Sequence, residues 1–316
     1  LLKKIARFAV DFAKQLLPEY VYQHLLFRFA RWNIGKRELS STNYWNSHHV
    51  SFSPTIEFVK YRRERYYNYE ECMPSSGHDG KVILDYGCGP GIESAALLTD
   101  SSNVDLYYAD VSQRSLKITE KFLDDLQLQA RPIFLAEDGW DTKLDDESVD
   151  YIHCTGVLHH TKYPTKILNE FKRILKPDGH INLMVYHKNS VYYYLYIQYI
   201  IQKLYRLQTN MNPKDVFREH TDGPNCPISH AWTFDEVRAL CEECKLKPEL
   251  IGTSYEPQDL AYIDKIPEAI YEEGVSQNAR RFLKKIKYDE SRLPFFISND
   301  GKKIGAGLHL CIKVTK

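Results

Sequence analysis

One stretch constrains this chain more than any other: an apolar run closed by an acid, Lys81–Asp85 (KVILD), then Gly87-Cys88-Gly89-Pro90-Gly91, then the helix-forming IESAALL. A strand that enters a helix through so glycine-rich a turn brings backbone N–H groups and a helix N-terminus close to a ligand without side-chain interference. The dinucleotide spacing G-x-G-x-x-G, counted from Gly87, needs glycine at position 92, where Ile92 stands. The turn therefore fits a nucleotide-type ligand but not the dehydrogenase fingerprint.

The rest of the chain reads as strands alternating with helices, the signature of a doubly wound parallel sheet. Strands are expected at Val104–Ala109, Pro132–Ala136, Val149–Cys154 and Ile181–Tyr186, the last behind a turn at Lys176-Pro177-Asp178-Gly179. Helices are expected near Ser115–Leu126 and Pro164–Leu175. Residues 188–230 break the rhythm with a Tyr-rich apolar helix and a polar loop from Arg218 to Pro227. Thr233–Cys244 reads as a helix, Pro248–Ser254 and Leu308–Val314 as strands, and 255–305 as a second insertion. The expected fold is α/β, a doubly wound, Rossmann-like, seven-stranded sheet with a helical N-terminal cap and insertions after strands five and six. Its expected divisions are a cap over 1–75, a cofactor-binding core over 76–187, a site-covering insertion over 188–230, and a sheet-completing segment over 231–316.

With 43% hydrophobic and 13% aromatic residues, the chain of 316 residues has material for a real core, which excludes bulk disorder. Lys+Arg and Asp+Glu balance at 42 each, so no whole-molecule basic field argues for nucleic-acid binding. Residues 1–40 are locally basic and apolar at helical spacing. They are expected to pack on the core or on a second copy in a homodimer, with peripheral membrane contact as the sharper reading. Seven scattered cysteines suit a reducing compartment, hence a cytoplasmic location. Cys241-Glu-Glu-Cys244 has CxxC spacing but no second pair, and no metal is expected there.

Asp85-Tyr-Gly-Cys-Gly-Pro-Gly91 resembles motif I of the class I S-adenosylmethionine-dependent methyltransferases, of the small-molecule, type 11-like kind, and residues 81–187 follow that family in order. The resemblance implies S-adenosyl-L-methionine as cofactor and S-adenosyl-L-homocysteine as product. It assigns cofactor contacts to Asp85, Gly87, Cys88, Gly89 and Gly91, and makes Asp110, with Val111, the acid that accepts hydrogen bonds from the ribose hydroxyls. Asp138, Gly139 and Trp140 fall where the family binds the adenine, with Trp140 able to stack on the purine, and Thr155 opens the segment after strand four. Ile174–His180 resembles the family's LKPGG turn, with Asp178 where glycine is common. Tyr44, Trp45 and the arginines after Tyr61 resemble a cap that closes over the cofactor, and Arg62 or Arg63 is the candidate partner for its carboxylate.

Methyl transfer from a sulfonium is an in-line displacement that mainly requires alignment, plus a base if the acceptor carries a proton to be lost. His159 and His160, just past strand four, are the first candidate bases, and Tyr186 and His187, at the end of strand five, the second. His220 and Asp222 are expected to help Tyr44 and Trp45 line the acceptor pocket. No Asp/Asp/Asn set of the magnesium-dependent catechol type is recognisable. Thr155-Gly-Val-Leu stands where amino-directed DNA enzymes carry a Pro-Pro-Tyr motif, so neither metal nor DNA is expected. The expected activity is methylation of an O or N atom on a small or lipophilic metabolite. The alternatives are a quinone or polyprenyl lipid, tRNA as a weaker one, and, outside enzymes, a cofactor-binding scaffold subunit.

Overall fold

The computed structural model describes residues 41–48, 54–136, 139–223 and 225–316. Helices α1 (Ser41–His48), α2 (Ile56–Arg65) and α3 (Tyr69–Cys72) precede the core. There follow β1 (Val82–Tyr86), α4 (Ile92–Asp100), β2 (Asp105–Asp110), α5 (Gln113–Asp125), β3 (Arg131–Phe134), β4 (Val149–Thr155), α6 (Pro164–Ile174) and β5 (Leu175–Tyr186). A π-helix at Tyr192–Leu204 and α7 (Pro213–Thr221) form the first insertion, and α8 (Phe234–Glu243) leads to β6 (Lys247–Ser254). The second insertion holds α9 (Pro257–Leu260), α10 (Ile266–Tyr271) and α11 (Gln277–Leu283), with β7 (Lys287–Tyr288), β8 (Pro294–Ile297) and β9 (Lys303–Gly305). Strand β10 (His309–Thr315) closes the chain.

The main sheet has seven strands in the order β3-β2-β1-β4-β5-β10-β6. Strands β1 to β5 pair in parallel, and β10 inserts antiparallel between β5 and β6. Strand order reverses between β1 and β4, which opens a crevice at the carboxyl ends of these strands, where ligands of such folds bind. The central strands are buried on both faces, as the continuous apolar runs require. Tyr86, Ile152, Phe171, Leu183 and Leu310 belong to one core cluster. Local chemistry places the helix starts: Ser112 caps α5 by accepting from the Ser115 N–H, and Thr233 with Glu236 forms a reciprocal capping box on α8.

Several boundaries depart from the expected ones. Strand β3 ends at Phe134, two residues before Ala136, and β5 begins at Leu175. Lys176–Gly179 is thus an irregularity within β5 rather than a turn before it: Val149 pairs with Leu175, Tyr151 with His180, and the register shifts between them. Arg218–His220 lies in α7, not in a loop, because Asn212 caps that helix and Pro213 occupies its first turn. The two insertions pack against each other in one apolar cluster that includes Ile197, Ile200, Phe217, Phe282 and Phe296. Among the described residues no helix is long and apolar enough to cross a membrane. The basic segment 1–40 lies outside the described residues.

Candidate functional site

A cavity of about 570 Å³ opens at the carboxyl edge of the sheet, over the strand-order reversal. The glycine loop forms its floor. Gly87, Cys88 and Gly89 line it, and the loop is held by its own backbone: the Gly87 and Cys88 N–H groups donate to Ala109 O at 2.7 and 3.0 Å. Gly91 stands behind the cavity as the left-handed cap of α4, packed on Thr119, and shapes the turn without lining it.

Asp110, at the end of β2, lines the cavity, where Oδ2 accepts from Gly89 N at 2.9 Å and Oδ1 from Ser112 N at 2.7 Å. Burial raises its carboxyl to about 6 against these two hydrogen bonds. Asp85 also lines the cavity and accepts from Ser94 Oγ at 2.5 Å; burial likewise pushes it up to about 6. Val111, Gly139 and Thr155 complete this wall. Asp138 lies outside the described residues. Trp140 is turned away from the lining and packs on the main core, with the Lys166 ammonium 5.6 Å from its ring centroid, so the structure does not bring it to the cavity.

Sequence left Arg62 and Arg63 equivalent in kind, and the structure separates them. Arg62 lines the cavity. Arg63 is buried in a charge network beneath it: its guanidinium meets Glu93, bonds Glu70 through Nε at 2.9 Å, and donates to Met73 O at 2.7 Å. Glu93 itself lines the cavity and also lies 3.3 Å from His153 Nε2. Burial would raise its carboxyl, but Arg63 and His153 outweigh that and hold it down to about 2.

The two adjacent histidines part company. Leu158–His160 forms a single 3₁₀ turn, and only His160 lines the cavity. His159 is fully buried against the Tyr186 ring at 4.0 Å, and burial drives its imidazole well below its usual value. His187 is likewise buried, 3.3 Å from Gly307 O, and pushed down to about 4. Neither faces the cavity, so the candidate-base positions reduce to His160 and Tyr186. His220 bonds Gln208 Oε1 at 2.8 Å and is also absent from the lining.

Asp222 does line it, at the centre of a saturated network. Its Oδ1 accepts from Tyr186 Oη at 2.9 Å and lies 3.4 Å from His160 Nε2, while Oδ2 accepts from Thr221 Oγ1 at 2.6 Å and Ser229 Oγ at 2.9 Å. His160 Nδ1 is 2.7 Å from Ile228 O, an acceptor only, so this nitrogen donates. Burial opposes the Asp222 charge, and His160 overcomes it to hold the carboxyl far below the usual range. Helix α1 closes over this network: Trp45 lines the cavity 4.8 Å from the His160 ring, and Tyr44, outside the lining, donates from Oη to Asp222 O. Cys226 joins His160 and Asp222 with ligand-type atoms within 4.8 Å of one another, but its buried thiol is raised to about 12 and bonds Ile228 O. Cys241 and Cys244 are both buried thiols.

Sequence reasoning missed one side of the cavity altogether. Tyr69, Met184, Glu256 and His309 line it beside Tyr66 of the expected cap, and His309 Nε2 lies 3.5 Å from Glu256 Oε1. Antiparallel pairing opposes His309 to Tyr186, and β6 ends next to it at Ser254. The signal was the direction of the last strand, whose first residue reaches the same edge as the last residue of β5.

A strand-order reversal, a glycine loop on β1 and an acid at the end of β2 define a nucleotide-type cofactor domain of the doubly wound class. Comparison with known proteins narrows the class: residues 84–183 match the family described as methyltransferase domain. The chain is 26% identical over 137 residues to the ubiquinone biosynthesis O-methyltransferase of Ralstonia nicotianae, covering 40% of this chain and 53% of that protein. It is 36% identical over 104 residues to the demethylmenaquinone methyltransferase of Clavibacter sepedonicus, covering 32% and 40%. It spans about half the length of the curated relatives it matches. Among solved structures, a SAM-dependent methyltransferase from Aquifex aeolicus aligns at a TM-score of 0.40 and 17% identity, covering 62% of this chain and 90% of that one.

Proposed function

We propose that the protein is an S-adenosylmethionine-dependent methyltransferase acting on an O or N atom of a small or lipophilic acceptor. One observation carries this reading: a single cavity joins the glycine loop and Asp110 to an aromatic and polar chamber built by α1, β5 and the insertions. Asp110 holds the ribose hydroxyls, Gly87–Gly89, Asp85 and Arg62 surround the amino-acid end of the cofactor, and Val111 and Gly139 flank the base. Trp45, Tyr66, Tyr69 and Tyr186 present the acceptor. The ubiquinone and demethylmenaquinone methyltransferases among the relatives favour a quinone-type lipid as the acceptor, and the aromatic lining suits one. Co-sedimentation with liposomes tests that form, and no binding would count against it. A cytosolic location accords with the scattered, buried, unpaired cysteines.

Isothermal titration with S-adenosylhomocysteine is the direct test. Asp110→Ala should weaken binding by about 1.5–3 kcal/mol through loss of charge-assisted hydrogen bonds. Wild-type affinity should also fall below pH about 6, where the Asp110 carboxyl gains its proton. Unchanged affinity in the variant would mean the ribose site lies elsewhere.

A further inference from the structure

The cavity holds two imidazole–carboxylate pairs, His160 with Asp222 and His309 with Glu256, and they differ in what they have left to offer. A carboxylate has about four acceptor positions. On Asp222 they are taken by Tyr186, Thr221, Ser229 and His160, and His160 spends its other nitrogen on Ile228 O. The pair is a closed network that ties the first insertion to the core, with no donor or lone pair to spare.

Glu256 is different. Its carboxylate meets His309 Nε2 and the N–H of the α9 capping box, and its side chain is 23% exposed against 3% for Asp222. Burial opposes its charge, but His309 and the Arg65 and Arg62 guanidiniums outweigh that and keep it ionised, below the usual carboxylate range. His309 is held from behind, Nδ1 lying 3.1 Å from Ser254 Oγ and its ring 5.3 Å from that of Tyr66. Glu256 therefore presents unfilled acceptor capacity to the cavity on a braced support.

Resting on the methyltransferase reading, we propose that Glu256, positioned by His309, accepts the proton of the methyl acceptor. As the acceptor's oxygen or nitrogen forms its bond to the methyl carbon, the carbon–sulfur bond breaks and its electron pair leaves with sulfur, turning the sulfonium into a neutral thioether. The attacking atom becomes strongly acidic, and its hydrogen passes to the Glu256 carboxylate and from there to solvent. His160, closed into the Asp222 network, is then a positioning residue.

The test needs no acceptor. Sinefungin carries an amine where the cofactor carries its methyl-bearing sulfonium, so its affinity relative to S-adenosylhomocysteine reports a carboxylate facing the methyl position. Wild type should favour sinefungin by about tenfold, the usual margin of a charge-assisted hydrogen bond. E256Q should bring the ratio near unity with S-adenosylhomocysteine affinity unchanged, and E256D should keep part of the preference. An unaltered ratio in E256Q overturns the inference, as does an equal loss of both ligands by a variant with the wild-type circular dichroism spectrum, since Glu256 would then hold the cofactor's own ammonium. If E256Q does not fold, H309Q decides: a lowered ratio supports the proposal and a wild-type ratio overturns it. Failure of the wild type to bind either ligand would instead remove the methyltransferase reading itself.

Discussion

Arg63→Ala should lower folding stability by about 3–5 kcal/mol, because it removes one partner of a buried ion pair and leaves the other charge in place. Arg63 and Glu93 are both nearly inaccessible at their side chains, 7% and 11%, and Arg63 also satisfies Glu70 and the carbonyl of Met73. Arg63→Ala combined with Glu93→Ala should be less destabilised than the sum of the single variants, since the orphaned carboxylate is then absent. Chemical denaturation of the four proteins measures this. A loss below about 1 kcal/mol for Arg63→Ala, the range of surface pairs, would show that the network is solvated.

The same network sets an acid limit. Glu93 is held below its ordinary value, down to about 2, so its contribution is complete above pH about 4.5 and is lost as pH falls toward 2. Asp85 and Asp110 act with the opposite sign. Both are raised to about 6, so their contribution is complete below about 4 and is lost as pH rises through 6. The wild-type stability curve is therefore a compromise. The difference between wild type and Arg63→Ala reports Glu93 before the more exposed Glu70, and it should shrink as pH falls below 4.5, because the orphaned carboxylate of the variant is relieved by protonation. A difference independent of pH down to 3 would show that Glu93 is not the charge at issue.

The half of the site built from one continuous stretch was legible in the sequence, and the half built across the sheet was not. Gly87, Gly89 and Asp110 lie at the ends of adjacent strands close in sequence, where a strand–turn–helix pattern alone fixes their neighbourhood. Glu256 and His309 are 53 positions apart and meet only because β10 runs antiparallel beside β6. His159 and His160 show a limit of another kind. Consecutive residues in a 3₁₀ turn point in different directions, and which one faces the cavity depends on where the Ile228 carbonyl lies. The Tyr-rich segment carried an obvious helical composition, yet nothing in it distinguishes a π-helix from an α-helix, because nearly every position is buried and no polar face marks the period. Trp140 has the right sequence position for stacking on a base, and a neighbouring lysine and the core claim its ring instead.

Gly87→Ala should damage stability and cofactor binding together. Gly87 has φ of +81°, a left-handed conformation that costs a residue with a Cβ about 1–2 kcal/mol, and a Cβ there would overlap Cγ2 of Val157, adding about 1–3 kcal/mol of overpacking. The sum, about 2–5 kcal/mol, falls on the loop whose shape brings the Gly89 N–H to Asp110. The two causes can be separated. Val157→Ala removes the overlapping methyl but leaves the backbone strained, so Gly87→Ala with Val157→Ala should recover the overpacking part and not the conformational part. Titration with S-adenosylhomocysteine then discriminates further. A loop that has merely lost stability binds normally well below its melting temperature, whereas a loop forced out of its turn does not, and the expected result is that the single variant fails to bind and the double variant binds weakly. Full binding by Gly87→Ala would mean that the cofactor does not approach the backbone at this turn.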